Sequence, residues 1–176
     1  MISLKKVQGV HLINLDIYKD ERGSFESIWE HHKPLTMNNG FTPSSVNISH
    51  NIKRFTLRGM HFQCSPFSQA KVVACANGTL WDVVVDLRQE SSTYKNWMAT
   101  ELTNQSGKAL YIPKGCAHGY ITLEENTSLI YLIDGTHMPE QSRVFRWDDS
   151  EFSIDWPVED PILSDRDRLA PDFLDS

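Results

Sequence analysis

The chain has 176 residues, 40% of them hydrophobic, and a formal net charge of −6. That length suffices for a single domain over residues 1–176 with a substantial core. The charge balance excludes the basic stripe of a non-specific nucleic-acid binder but leaves room for a local cationic pocket that takes a small anion. Three cysteines, Cys64, Cys75 and Cys116, form no C-x-x-C pair, which argues against a disulfide framework or a zinc ribbon and fits a reducing compartment. No apolar leader opens the chain, and no apolar run approaches the roughly 20 residues of a membrane helix. A soluble cytoplasmic protein with no membrane partner is therefore expected.

In chain order, residues 7–15 alternate weakly and predict a first strand. Asp20-Glu21-Arg22-Gly23 reads as a turn, with Gly23 free to take positive φ, and residues 24–29 read as a strand. A short helix is expected over His31–Asn39, starting near Pro34. Strands follow at 46–50, 56–62, 71–76, 79–87, 94–102, 109–112, 117–123 and 127–133. Asn77-Gly78 predicts a hairpin over Lys71–Leu87. Within it Trp81, Val83, Val85 and Leu87 share one face, and Asp82, Val84 and Asp86 the other. Beyond Pro139 the pattern turns irregular, with short helices expected near Ser150 and Ser164. Many short strands joined by Gly, Asn, Pro and Ser turns predict an all-β sandwich or barrel with short peripheral helices.

The stretch Leu57-Arg58-Gly59-Met60-His61-Phe62-Gln63 is the centre of interest. Simple alternation places Leu57, Gly59, His61 and Gln63 on one face and Arg58, Met60 and Phe62 on the other. Gly59 leaves space for a ligand or another backbone to approach. Arg58, His61 and Lys71 on adjacent strands outline a cationic pocket with one titratable base, and the neighbouring cations favour a neutral imidazole. His118 lies in Pro113-Lys114-Gly115-Cys116-Ala117-His118-Gly119. The spacing P-x-G-x-x-H resembles the second half of the cupin motif. Two separated histidines with no third N, O or S ligand make a poor metal site, so no metal and no cofactor are expected. From spacing alone, Tyr131, Trp147 and Trp156 read as core aromatics, and Asp148, Asp149, Asp165 and Asp167 as solvated acids.

Seven stretches together resemble the dTDP-4-dehydrorhamnose 3,5-epimerase family, a metal-free branch of the cupins. Asp20-Glu21-Arg22-Gly23-Ser24-Phe25-Glu26 is similar to its D-x-R-G-x-F segment, and Leu57–Gln63 to its L-R-G-L-H-[FY]-Q. Gln69-Ala70-Lys71 is similar to its lysine segment. Trp81-Asp82-Val83-Val84-Val85-Asp86-Leu87-Arg88 with Ser92-Thr93-Tyr94 resembles [FY]-D-V-x-V-D-[LI]-R…S-P-T-[FY], and Ile112–Gly119 resembles I-P-x-G-F-A-H-G. Arg146-Trp147-Asp148-Asp149 with Ile154-Asp155-Trp156-Pro157, and Leu163-Ser164-Asp165-Arg166-Asp167, are similar to its two C-terminal segments. In order and at matching spacing, they make the resemblance specific.

The resemblance implies a cupin-type jelly roll and a cofactor-free isomerase acting on a nucleotide-linked 4-keto-6-deoxyhexose. It implies that His61 is the base, Asp167 its orienting partner, Lys71 the group at the keto oxygen and Tyr131 the acid on the opposite face. Arg58, His118, Asn47 and Trp147 are expected around the sugar and diphosphate. Arg22 and Glu26 are expected at the nucleotide, with Arg22 crossing from a partner subunit in a homodimer that exchanges N-terminal strands, about 1–50. Three positions depart from the family pattern: His137 for its common Tyr, Ser45 for its Gln and Cys116 for its Phe. They point to a specificity for another 4-keto sugar nucleotide or to inversion at carbon 3 alone. A metal-dependent cupin enzyme and a non-catalytic sugar-nucleotide binding module are the alternatives of other classes.

Overall fold

The computed structural model describes residues 6–31 and 40–174. Eight strands form the body of two facing five-stranded sheets. They are β4 (Ser45–Asn51), β5 (Leu57–Gln63), β6 (Ala70–Asn77), β7 (Thr79–Asp86), β8 (Trp97–Thr103), β9 (Lys108–Ile112), β10 (Cys116–Thr122) and β11 (Thr127–Asp134). Before them come β1 (His11–Asn14), β2 (Asp16–Asp20) and β3 (Gly23–Ser27). After them come a 3₁₀ turn at Pro139–Gln141, β12 (Ser142–Val144) and α1 (Asp165–Arg168). The first sheet runs β1-β9-β6-β11-β4, the second β12-β5-β10-β7-β8, and β2–β3 is a hairpin in a sheet of its own. All the strand pairs are antiparallel. With successive strands crossing between the sheets, this is the double Greek-key order of a jelly roll.

That order corrects the hairpin expected over Lys71–Leu87. β6 pairs with β9 and β11 in the first sheet, and β7 with β8 and β10 in the second. The Asn77-Gly78 turn therefore carries the chain from one sheet to the other. Gly78 takes φ +78°, and a Cβ there would lie 2.5 Å from Thr127 Oγ1, so only glycine turns this corner without displacing β11. β2 and β12 are strands the pattern did not suggest. The helix expected near Ser164 is α1, whereas the region of Ser150 holds turns. The helix expected over His31–Asn39 falls on 32–39, outside the described residues.

The main core fills the space between the sheets, with Val73, Leu110 and Leu129 meeting Leu80, Leu102 and Tyr120. Each fully buried aliphatic side chain contributes about 1.5–3 kcal/mol. Two further clusters lie on the outer faces. Val72, Ala74, Tyr111 and Leu132 pack under Leu15, Ile28, Trp29 and Phe41. Met60, Val83, Val85 and Trp97 pack under Phe145, Phe152 and Trp156. The expected division of β7 is what the clusters show: Val83 and Val85 face outward and Val84 inward.

The alternation expected for β5 is interrupted. His61 lies opposite His118 and Arg58 opposite Tyr120, so between them two residues of β5, Gly59 and Met60, face one of β10, Gly119. This is a β-bulge. Directly opposed residues share a face, so the bulge turns Arg58 to the same side as His61, His118 and Tyr120, while Met60 joins the outer cluster. Two glycines make it possible. Gly59 takes φ +145°, and a Cβ there would lie 2.6 Å from the Gly119 Cα; a Cβ on Gly119 would lie 2.5 Å from Met60 Sδ. The space at Gly59 admits a neighbouring backbone.

Candidate active site

Strand alternation and the bulge bring five polar side chains into one end of the space between the sheets. β5 supplies Arg58 and His61, β6 supplies Lys71 on the face it shares with Val73 and Cys75, β10 supplies His118, and β11 supplies Tyr131. Asn47 on β4 lies directly opposite Tyr131, and its amide donates to Ser45 Oγ at 3.3 Å.

Two histidine–aspartate pairs stand side by side. His61 Nε2 is 2.6 Å from Asp167 Oδ1, across 106 residues of sequence. The Asp167 side chain is 4% exposed and that of His61 37%. Asp167 is held by its own short helix: Ser164, the N-cap, accepts from the Asp167 backbone N–H at 3.2 Å and donates to its Oδ2 at 3.0 Å. Burial works against the Asp167 carboxylate, yet the hydrogen bond and charge of His61 and the Ser164 hydroxyl hold its pKa below the usual range. With Nε2–H donated to this carboxylate, Nδ1 carries the lone pair of the neutral ring. That is the arrangement of a base oriented by an acid.

His118 Nε2 lies 2.9 and 3.0 Å from the two oxygens of Asp82. Both side chains are nearly inaccessible, at 4% and 0%. Burial lowers the His118 pKa despite the attraction of Asp82, with Lys71 and His61 adding to the same effect. Burial also lowers Lys71 to about 8, against the pull of Asp82 and Cys116. Burial pushes the Tyr131 phenol well above its ordinary range, helped by the neighbouring Tyr120. The Tyr131 ring stands edge-on to His118, 5.9 Å between centroids. A neutral imidazole, a cation and a phenol around one space can take a proton from carbon, hold the resulting oxyanion and return a proton elsewhere.

The remaining expected residues are distributed differently. Arg22 lies at the turn of the β2–β3 hairpin, 2.5 Å from Asp20, and Glu26 is on the same hairpin. Among the described residues, that hairpin pairs with neither of the two large sheets. His137 is exposed in the loop after β11. Gln63 holds that loop, donating to Thr136 O at 2.9 Å and accepting from Met138 N at 3.0 Å. Trp147 stacks edge-on against Trp156, which meets Trp81 on the outer face of the second sheet. Among the described residues no three His, Cys, Asp or Glu side chains converge as metal ligands do, and no helix is long and apolar enough to cross a membrane.

Sequence reasoning passed over four polar residues of the site: Asp82, Tyr120, Asn51 and Ser49. Asp82 carries a signal, since an aspartate on the inward face of an apolar strand requires a buried partner. A separate cleft of about 760 Å³ opens near the outer side of the second sheet between Phe62, Arg88, Lys114 and Phe173, and none of the catalytic candidates lines it.

Comparison with known proteins identifies the family. The model of the family "dTDP-4-dehydrorhamnose 3,5-epimerase" matches residues 5–175. A Mycobacterium tuberculosis dTDP-4-dehydrorhamnose 3,5-epimerase is 36% identical over 96% of this chain and 85% of its own. A dTDP-4-dehydrorhamnose 3-epimerase of Streptomyces niveus is 36% identical over 93% of this chain and 79% of its own. The crystal structure of the Bacillus anthracis 3,5-epimerase, with TDP and PPi bound, superposes with a TM-score of 0.87 at 33% identity, covering 98% of this chain and all of that one. The chain belongs to the dTDP-4-dehydrorhamnose 3,5-epimerase family of isomerases.

Proposed function

We propose that this protein inverts carbons 3 and 5 of a dTDP-linked 4-keto-6-deoxyhexose, through an enolate and without a cofactor. The observation that carries the reading is the His61–Asp167 pair, set in one space with Lys71 and Tyr131 in a chain of this family. The carbon-4 ketone acidifies the protons on its neighbours. His61 removes one while Asp167 stabilises the imidazolium. Lys71 stabilises the enolate oxygen, a contribution of about 3–4 kcal/mol to the barrier by analogy with oxyanion-hole donors. Tyr131 protonates the opposite face, and the configuration inverts.

Arg58, Asn47 and His118 hold the sugar and diphosphate in this reading, and Trp147 and His137 bound its outer end. Arg22 and Glu26 reach the nucleotide from a partner's hairpin in a homodimer. The exposed Tyr18 and Phe25 on that hairpin, with Val46 and Ile48 on the edge strand β4, are apolar surface of the kind such an exchange covers. A cytoplasmic location fits this reading.

Incubation with dTDP-4-keto-6-deoxyglucose in heavy water tests the reading. Deuterium at carbons 3 and 5 of an inverted product supports it, and label at neither position removes it. A second reading, inversion at carbon 3 alone, is favoured by the similarity to the Streptomyces niveus 3-epimerase; label confined to carbon 3 selects it.

A further inference from the structure

An acid that gives up a proton in each turnover must regain one. Tyr131 faces the space between the sheets, and in the epimerase reading the sugar covers its open side. Behind it stands Tyr120 of β10, 1% exposed, with the two ring centroids 6.5 Å apart. The Tyr120 hydroxyl is 2.8 Å from Ser49 Oγ, and either oxygen can donate. It also accepts from Asn51 Nδ2 at 3.1 Å and lies 3.3 Å from Asn51 Oδ1. Asn51 Oδ1 in turn accepts from Arg58 Nε at 2.9 Å. A tyrosine buried only for packing needs one partner for its hydroxyl. This one has a hydroxyl on the edge strand, half-exposed, on one side and the acid on the other.

We propose that Tyr120 reloads the acid, passing a proton from solvent at Ser49 Oγ through its own hydroxyl to Tyr131. It is a positioning residue that acts through Tyr131, and the proposal rests on the epimerase reading above. When Tyr131 protonates the enolate carbon, its O–H bond breaks and a C–H bond forms. The phenolate takes the Tyr120 proton, Tyr120 takes that of Ser49, and Ser49 takes one from water. His61 releases the proton it abstracted to solvent, which neutralises the hydroxide left behind. One proton leaves through His61 and one enters through Ser49, so the cycle closes without net change. The Tyr120 ring lies beside that of Tyr131, and its hydroxyl, now directed at Asn51 Oδ1 and Ser49 Oγ, can turn to donate toward the phenolate; burial and the neighbouring Tyr120 raise the Tyr131 pKa. Arg58 opposes that rise in pKa and so stabilises the transient anion.

The test is Tyr120→Phe, which removes one oxygen, assayed in heavy water with dTDP-4-keto-6-deoxyglucose. Proton removal by His61 is expected to persist within about twofold and KM to stay near wild type, while kcat for inversion falls by about 10²-fold, the usual weight of one proton-transfer group. Substrate recovered with unchanged configuration then carries deuterium returned by His61. Ser49→Ala, at the half-exposed end of the chain, is expected to shift the same ratio of exchange to inversion in the same direction, and it carries the test should Tyr120→Phe not fold. Equal loss of exchange and inversion, or no loss of inversion, overturns the relay. The wild type assayed alongside separates the two readings. No exchange in the wild type removes the epimerase and the relay with it, whereas full wild-type inversion with an unchanged Tyr120→Phe removes the relay alone.

Discussion

His61 and His118 lie opposite each other on neighbouring strands, and each commits Nε2 to an aspartate. Their surroundings then separate them. His61 is partly open to the cleft and draws its carboxylate from a helix over a hundred residues away, while His118 and Asp82 sit on adjacent strands with almost no exposure. Burial disfavours a charged imidazole, so the inner pair favours a fixed, neutral ring. The outer pair has the access, and the carboxylate, to form an imidazolium in turnover. In the proposed reading, the same two residue types thus serve as a base in one place and as a rigid wall in the other.

Asp167→Asn strikes the outer pair hardest. Proton exchange from the sugar is expected to fall by about 10²–10⁴-fold, because the ring loses both its orienting acceptor and the charge that stabilises its protonated form. Since the His61 end is partly exposed, chemical denaturation should show a loss of only about 1 kcal/mol. A large loss of stability with near-normal exchange would reverse the roles assigned to the pairs.

Asp82→Ala is the reciprocal experiment. It leaves the His118 Nε2 buried without its acceptor, a defect that costs about 3 kcal/mol or more. The denaturation midpoint should move well before substrate-free integrity of the Asp167 helix is affected, which native-state hydrogen exchange at Asp167 and Arg168 reads directly.

How far these pairs could be foreseen depends on the range of each cause. The alternation of Trp81–Leu87 is local, and the face division it predicted is the one observed. The bulge in β5 is not local. It arises where Gly59 meets Gly119 across strands sixty residues apart, so simple alternation put Arg58 on the wrong side of His61. The partner strand of β6 is likewise set by sandwich closure, and an Asn-Gly turn that signals a hairpin instead crosses between sheets. In Asp167, spacing alone read only a solvated acid. The resemblance to a family raised it to a partner of His61, and the Ser164 cap shows how the local chain holds it in place.

Lys71 comes from the opposite sheet, and its pKa of about 8 gives a milder test. The rate should fall as pH rises through about 8, as the ammonium proposed to stabilise the enolate loses its proton. Stability should move the other way. The unfolded lysine still holds its proton up to its ordinary 10.5, so between about 8 and 10.5 the unfolded state binds more protons and stability rises with pH. Lys71→Arg keeps a cation throughout and should displace the alkaline limb of the rate profile upward, whatever it costs in absolute rate. A limb unmoved in that variant assigns it to another group.

The smallest effect separates the pairs by pH window. The folded pKa of His118 lies below its ordinary 6.5. As pH falls through about 6.5 the unfolded chain takes up a proton that folded His118 refuses, and stability declines. The folded pKa of Asp167 lies below its ordinary 3.8, so its contribution is fully present above that value and is lost only as pH falls through the folded pKa. Acid titration of stability should therefore show an early loss from the inner pair near pH 6 and a later one from the outer pair below about 4. His118→Gln should flatten the first decline and leave the second, and Asp167→Asn should do the reverse. If His118→Gln leaves the early decline intact, burial is not what distinguishes the inner pair from the outer one.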